Sequence, residues 1–499
     1  MSISELSRAS KVSLVIGAML FFMIAQYNIF AVSSELWFDP AFSIETAHRI
    51  NQGDQIFWGA HDVHFPLYYY TLAGWMKLNP GLTEFNWARE LSVFFGLIFL
   101  VSAGYFIFSV FGWKNGIPAF TFLSVGATTL QYFTIEPRSY MALFAMMAYS
   151  LVMIKLHVET KDKFYLGLAT IAMATFPMWH YFAVMAWPFV LLIWFVFEKE
   201  RGITIKQFVK KTIPVIAVLA IFLILVMFVA IPQRMRSEGT WFQPPSASSF
   251  PSAMFYSAFL VDSMVVENSL ILSVIYYLFV VFAMYCGYLL YQRLKKFPGT
   301  QTNILAIMYM TCVIPLLALL LLSLCSGGFC NLYHHRFFLV ITWMFPVACL
   351  TVFIMSRYDY REWAAIVFGV IVVSGFAMYA YSSGVHKELD NTIAATPCTT
   401  ALIGHESPFS MLPYKVAQRE LGCDWTHFVS TGISERRART SGFDVLDSNE
   451  IYWNNSLPVQ DFYYVQSDEA SFYRNFDYLN RSKTLVYQDD GIALVSVGP

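Results

Sequence analysis

The chain has 499 residues, of which 57% are hydrophobic and 13% charged, with a mean hydropathy of +0.53 and a formal net charge of −1. Soluble domains carry about 25% charged residues, so a soluble globular enzyme is excluded, and the near-neutral balance gives no sign of a nucleic-acid partner. The charge deficit is concentrated before residue 383, where apolar runs recur, each long enough to cross a hydrocarbon core of about 30 Å.

The pattern predicts an all-α polytopic membrane protein with about eleven transmembrane helices. In chain order they fall at Val12–Val32, Glu90–Phe111, Ile117–Phe133, Met141–Leu156, Phe164–Met178, Phe182–Phe197, Thr212–Ile231, Leu270–Leu290, Asn303–Leu324, Phe338–Met355 and Trp363–Tyr381. Basic residues cluster in alternate loops: Arg8 and Lys11, then Lys114, Lys155–Lys163, Lys199–Lys211, Arg293–Lys296, and Arg357 with Arg361. That alternation puts the N-terminus in the cytoplasm and, with an odd number of spans, the C-terminal segment outside. The first apolar run ends in Ala31-Val32-Ser33, as a cleaved signal peptide would, but it is longer than the usual 7–15 residues of a signal core and reads as a retained helix.

Between the first two spans lies an aromatic-rich loop, residues 33–89. Loops beyond about 12–15 residues are usually functional or disordered, and this one is too aromatic for disorder. It carries Asp39, Glu45, Asp54, His61, Asp62 and His64, residue types suited to proton transfer and metal binding. A short helix is expected inside it at Leu67–Leu78, and Glu45, Asp54 and His61 read as solvated.

Composition changes at about Ser382. Residues 383–499 read as a small extracytoplasmic α/β domain, the rest (1–382) as the membrane domain. Strands are expected at Thr400–Gly404 and Phe462–Gln466, a helix at Met411–Leu421, and a closing hairpin from Thr484–Gln488 through Asp489-Asp490-Gly491 to Ile492–Val497. Cys286, Cys312 and Cys349 fall in spans as packing residues, and Cys398 and Cys423 are expected to pair outside the cytosol. Cys325 and Cys330 flank Ser-Gly-Gly-Phe near His334 and His335, a spacing open to a disulfide, free thiols or zinc. No internal repeat is present.

Ionisable groups within a bundle are expensive. Those at the expected outer ends of spans are therefore the candidates: Asp39, Asp62 and His64; Glu136 and Arg138; His180; His335 and Arg336. Each has a simpler alternative. Asp39 can cap the helix that opens with Pro40, and Glu136 with Arg138 can be a surface ion pair. His180 can be an interfacial packing residue beside Trp179 and Tyr181, and Arg336 a headgroup anchor. A transporter would place such groups at the midplane, between inverted repeats. A non-catalytic scaffold would need none of them.

Four motifs resemble those of the GT-C glycosyltransferases, the class of the protein O-mannosyltransferases and the lipid A aminoarabinose transferase. Leu36–Ser43 is similar to the acidic first-loop motif, with Pro40 where that motif has a second acid. His64-Phe65-Pro66-Leu67-Tyr68-Tyr69, followed by Trp75, is similar to the family's His-Pro-Pro-Leu-Tyr-Tyr, with Phe65 at its second place. Glu136-Pro137-Arg138-Ser139-Tyr140 and His335-Arg336-Phe337-Phe338 resemble the Glu-Ala-Arg-x-Tyr and Arg-Tyr motifs. The order is the family's, over residues 12–380.

The resemblance implies an inverting sugar transfer from a polyprenyl-phosphate donor to a lipid, glycan or protein acceptor at the outer face of the cell membrane. It makes Asp39 the base, with Glu136 as second choice. Arg138 and Arg336, with His335 and Tyr140, would hold the donor phosphate. Trp37, Asp62, His64, Tyr69 and His180 would contact substrate. No cofactor is identified, and a divalent metal stays open.

Overall fold

The computed structural model describes residues 6–32, 38–53, 66–236, 270–323, 343–356, 393–399, 401–405, 408–431, 451–453, 462–466, 483–489 and 492–497. The first part is helical: α1 (Arg8–Tyr27), α2 (Phe38–Asn51), α3 (Leu67–Met76), α4 (Glu84–Thr121), α5 (Thr128–Ile135), α6 (Tyr140–Thr160), α7 (Lys163–Trp179), α8 (Ala186–Glu200), α9 (Ile205–Arg236), α10 (Leu270–Lys296), α11 (Thr300–Ser323) and α12 (Met344–Ser356). Among the described residues, five helical stretches are long and apolar enough to cross a membrane: Arg8–Phe30, Glu84–Gly126, Tyr140–Thr160, Ile205–Phe228 and Tyr276–Lys296. The expected span at Trp363–Tyr381 lies outside the described residues.

The expected boundary between the spans Glu90–Phe111 and Ile117–Phe133 falls at a backbone break, and the second of them is itself interrupted at Ala127 (φ −84°, ψ 89°). Within α4 the backbone breaks at Gly112 (φ 74°, ψ 167°), a left-handed conformation that a side chain resists. A π turn at Phe122–Gly126 and then the short α5 follow. Lys114 and Asn115 mark the first break in the sequence, whereas the π turn lies in an apolar stretch where hydropathy does not change. Gly104 has a different role: a Cβ there would sit 2.5 Å from Leu14 Cδ2 and from Phe120 Cε2, so its bareness lets α1 and the end of α4 close up.

α6 packs between α4 and α7, and its buried face meets Phe99, Phe106 and Trp194 in one continuous core. The two ends of α6 differ. At its C-terminal end the charges are matched: Lys155 pairs with Glu159, and Lys211 of α9 pairs with buried Glu198 of α8, which also accepts from Trp194 Nε1 at 3.1 Å. Its N-terminal end carries the candidate site.

α3 is locked to the start of α4 by two stacked tryptophans with ring centroids 4.8 Å apart. Trp75 Nε1 donates to the Trp87 carbonyl at 2.9 Å, and Trp87 Nε1 to the Trp75 carbonyl at 2.8 Å, so both half-buried donors are satisfied reciprocally. α2 lies on α3 through a Phe42–Tyr69 edge contact and a bond from Asn51 Nδ2 to the Ala73 carbonyl.

The last part forms a six-stranded sheet of order β3-β2-β1-β4-β6-β5, from β1 (Ala401–His405), β2 (Trp425–Thr431), β3 (Ile451–Trp453), β4 (Phe462–Gln466), β5 (Lys483–Asp489) and β6 (Ile492–Val497). β3, β2, β1 and β4 run parallel; β6 runs antiparallel to both β4 and β5. The helix α13 (Pro408–Leu421) makes the crossover between β1 and β2 that a parallel pair requires. Cys398 and Cys423 form a disulfide, with Cα atoms 4.9 Å apart, that fastens the end of α13 to the segment before β1. The other face of α13 rests on α2.

Candidate active site

The site is built around the turn between α5 and α6. Apolar residues carry α5 as far as Ile135, and Pro137 then forbids a continuous helix, so Glu136 turns extended (φ −92°, ψ 118°). Its carbonyl is held twice, by the Arg138 backbone N–H at 2.8 Å and by Ser92 Oγ of α4, which donates at 2.7 Å. Ser139 then starts α6, with Tyr140 as its first residue. This fixing keeps a polar turn inside the protein: Glu136, Arg138, Ser139 and Tyr140 are 4%, 9%, 5% and 4% exposed.

Two further elements close on the turn. His180 terminates α7 in an extended conformation, is 2% exposed, and lays its ring 5.6 Å from that of Tyr140, which in turn packs on Phe133. From α3, Tyr68 brings a buried hydroxyl beside Ser92, Arg138 and Glu136. Burial raises the Tyr68 pKa far above that of a free phenol, outweighing Ser92 and Arg138, so this group stays a neutral hydrogen-bond donor. One carboxylate, one guanidinium, one imidazole and two phenols therefore meet at one end of the bundle. Such a set can bind an anionic group and move a proton.

Glu136 and Arg138 are not a surface ion pair, because both are buried. His180 is not merely interfacial either; it faces Tyr140 inside the protein. Tyr69 is buried next to Tyr68 but turns toward Phe42 of α2. Asp39 lies within the first turn of α2 rather than before it, beside Pro40, whose missing N–H is harmless there. Trp37, Asp62, His64, His335, Arg336, Cys325 and Cys330 lie outside the described residues.

Three residues were missed in the sequence. Ser92 carries no signal of its own. Arg89, one turn earlier on α4, is 3% exposed with its guanidinium 3.7 Å over the Phe85 ring, and a cation so close to an apolar run is a sign that could have been used. Glu45 is not solvated: it is 6% exposed and accepts from Arg419 Nη1 of α13 at 2.6 Å. Among the described residues no group of three or more His, Cys, Asp or Glu is arranged to hold a metal ion.

No protein-family model matches the chain, and no curated protein matches it in sequence. Solved structures do. ArnT from Cupriavidus metallidurans in the apo state superposes with a TM-score of 0.59 at 11% identity, covering 97% of this chain and 97% of that one. ArnT from the same organism bound to undecaprenyl phosphate gives a TM-score of 0.54 at 11% identity, with the same coverage. The agreement spans the helical bundle and the sheet alike, and it means that this chain shares the fold of ArnT over 97% of both chains.

Proposed function

We propose that the protein is an integral membrane glycosyltransferase that moves a sugar from a polyprenyl-phosphate donor to an acceptor on the extracytoplasmic side, with inversion. The observation that carries this reading is the buried Glu136–Arg138–Tyr140–His180–Tyr68 set, lying in a fold shared over 97% of both chains with ArnT, which has been captured with undecaprenyl phosphate bound. The N-terminus is cytoplasmic, and residues 383–499 form a domain on the opposite face. The alternation of basic residues supports that orientation.

In this reading the donor phosphate is gripped by Arg138 and Arg336, aided by His335 and Tyr140. Guanidinium forks bind phosphate oxygens through paired, charge-assisted bonds and stabilise the charge that builds on the leaving lipid phosphate. Asp39, at the start of α2, takes the proton from the acceptor hydroxyl or amine as it attacks the anomeric carbon. Glu136 is the second choice for that role. Trp37, Asp62, His64 and His180 are assigned to the sugar and acceptor, while Tyr69, turned toward Phe42 of α2, is not.

The test is mass spectrometry of lipids and glycans from cells with and without the gene, followed by turnover of the candidate donor by purified protein. A sugar that disappears from one acceptor while its polyprenyl-phosphate form accumulates supports the reading. Unchanged glycans, together with no turnover of any polyprenyl-phosphate sugar, reject it.

A further inference from the structure

The end of α13 is joined to the first loop by a charged lock. Arg419 donates from Nη1 to Glu45 of α2 at 2.6 Å and from Nε to Glu84 of α4 at 3.1 Å. The next residue, Glu420, accepts from the Phe85 backbone N–H at 3.0 Å, so adjacent α13 residues grip both α2 and the N-terminus of α4. His48, one turn beyond Glu45 on α2, approaches Glu84 at 3.8 Å and borders the same cluster. Burial opposes charge on Arg419, but Glu45 and Glu84 more than offset it and raise its pKa, so it stays a cation.

The lock has a rigid backing. Within four residues of Arg419 the Cys398–Cys423 disulfide ties down the end of α13. Tyr414 of the same helix meets Thr396 Oγ1 at 2.9 Å, and Trp425 Nε1 donates to the Pro397 carbonyl at 2.8 Å. On the other side, α2 is buried on every face from Ala41 to Ala47, between α3 and α13. Asp39 stands six residues before Glu45 on this helix, about 9 Å along its axis.

We infer that Arg419 is a positioning residue: through Glu45 it holds α2, and with it the Asp39 end of the helix, in register with the Glu136–Arg138 turn. This rests on the proposed transferase reading for its consequence, though not for its geometry. Misplacing a reacting group by about 1 Å can cost on the order of a hundredfold in rate. Losing the lock should therefore lower kcat and leave donor affinity alone, because Arg138 is fixed by α4 and α6 without help from α13.

The experiment uses full-length protein in detergent and compares Arg419→Gln, Arg419→Lys and Glu45→Gln with wild type. Glu45→Gln removes the charge from the link to α2, leaving a neutral hydrogen bond in its place, while keeping the Arg419–Glu84 pair, and so serves should Arg419→Gln fail to fold. Hydrogen exchange, read by mass spectrometry, should accelerate at least tenfold across residues 38–51 in the Gln variants and stay unchanged across residues 140–160. For sugar transfer, kcat should fall about 10–100-fold with donor KM within twofold, and Arg419→Lys should recover part of it. Unaltered exchange in α2 overturns the lock whatever the activity shows. Altered exchange with normal kcat overturns the positioning role. Absence of transfer by the wild-type protein, with exchange behaving as expected, rejects the transferase reading and leaves the lock standing.

Discussion

Arg138→Lys is the most discriminating single change in the proposed donor site. Arg138 is 9% exposed in a turn whose backbone is fixed by Ser92 and by its own N–H bond to the Glu136 carbonyl. The substitution retains the positive charge beside Glu136 and Tyr68 but replaces a planar fork by a single ammonium, so one of two parallel bonds to a phosphate is lost. A hydrogen bond to a charged group is worth about 1.5–3 kcal/mol. With about 1.4 kcal/mol per factor of ten, kcat/KM for the polyprenyl-phosphate donor should fall roughly 10–150-fold. Binding of undecaprenyl phosphate, followed by calorimetry in detergent, should weaken in proportion, and raising salt should not abolish the difference, because screening acts mainly on exposed charges. Thermal unfolding separates a local loss of binding from collapse of the turn. Donor binding and kcat/KM both within twofold of wild type, in a protein that melts normally, would refute the assignment of Arg138 to the phosphate.

Asp39→Asn should lower transfer at least a hundredfold, the smaller end of what a general base supplies, with donor binding retained; near-normal turnover moves the base to Glu136 or out of this chain. Replacing Cys398 and Cys423 by alanine opens a loop with a sequence separation of 25. Chain entropy then predicts about 3–4 kcal/mol less stability for the sheet domain, seen as a lowered denaturation midpoint under non-reducing conditions. Glu420 has a pKa raised by burial, so the folded state holds its proton more tightly than the unfolded one does. Stability from this group is thus greatest below the unfolded value of 4.5 and is lost as pH rises through the raised folded value. Glu420→Gln keeps an acceptor for the Phe85 N–H, and should flatten the fall in melting temperature between about pH 4.5 and neutrality; an unchanged profile would show that another group sets it.

Much of this was legible because it is local. The Glu136–Tyr140 turn stands out as charge and proline between apolar runs, although the sequence left Glu136 and Arg138 open to being a surface ion pair and only the structure shows them buried. The β5–β6 hairpin and the strand at Phe462–Gln466 follow from residue type and turn chemistry. What was hidden is tertiary. Glu45 read as solvated because its partner, Arg419, stands 374 residues away, and no pattern along the first loop anticipates it. The π turn at Phe122–Gly126 lies inside apolar sequence, where hydropathy is constant while backbone geometry changes. Arg89 was read past because it falls just before a long apolar run, where a cation ordinarily marks the membrane edge.

The two ends of α6 bear on which functional reading is physically economical. At its C-terminal end every buried charge named above has an opposite charge in contact, Lys155 with Glu159 and Lys211 with Glu198. That arrangement neutralises itself and asks nothing of a ligand. At the N-terminal end a carboxylate, a guanidinium, an imidazole and two phenols are buried together. Packing apolar residues of similar volume there would often stabilise a bundle as well or better, so the proposed transferase accounts for this set more directly than a scaffold does. A flippase would need polar groups continued along a path toward the midplane, yet from Met141 to Ala148 the buried positions of α6 are all apolar, with Ser150 the next polar one. A polar set gathered at one end of α6, next to the apolar positions Met141–Ala148, is what the proposed transferase reading requires of a site that meets its substrates at the membrane surface.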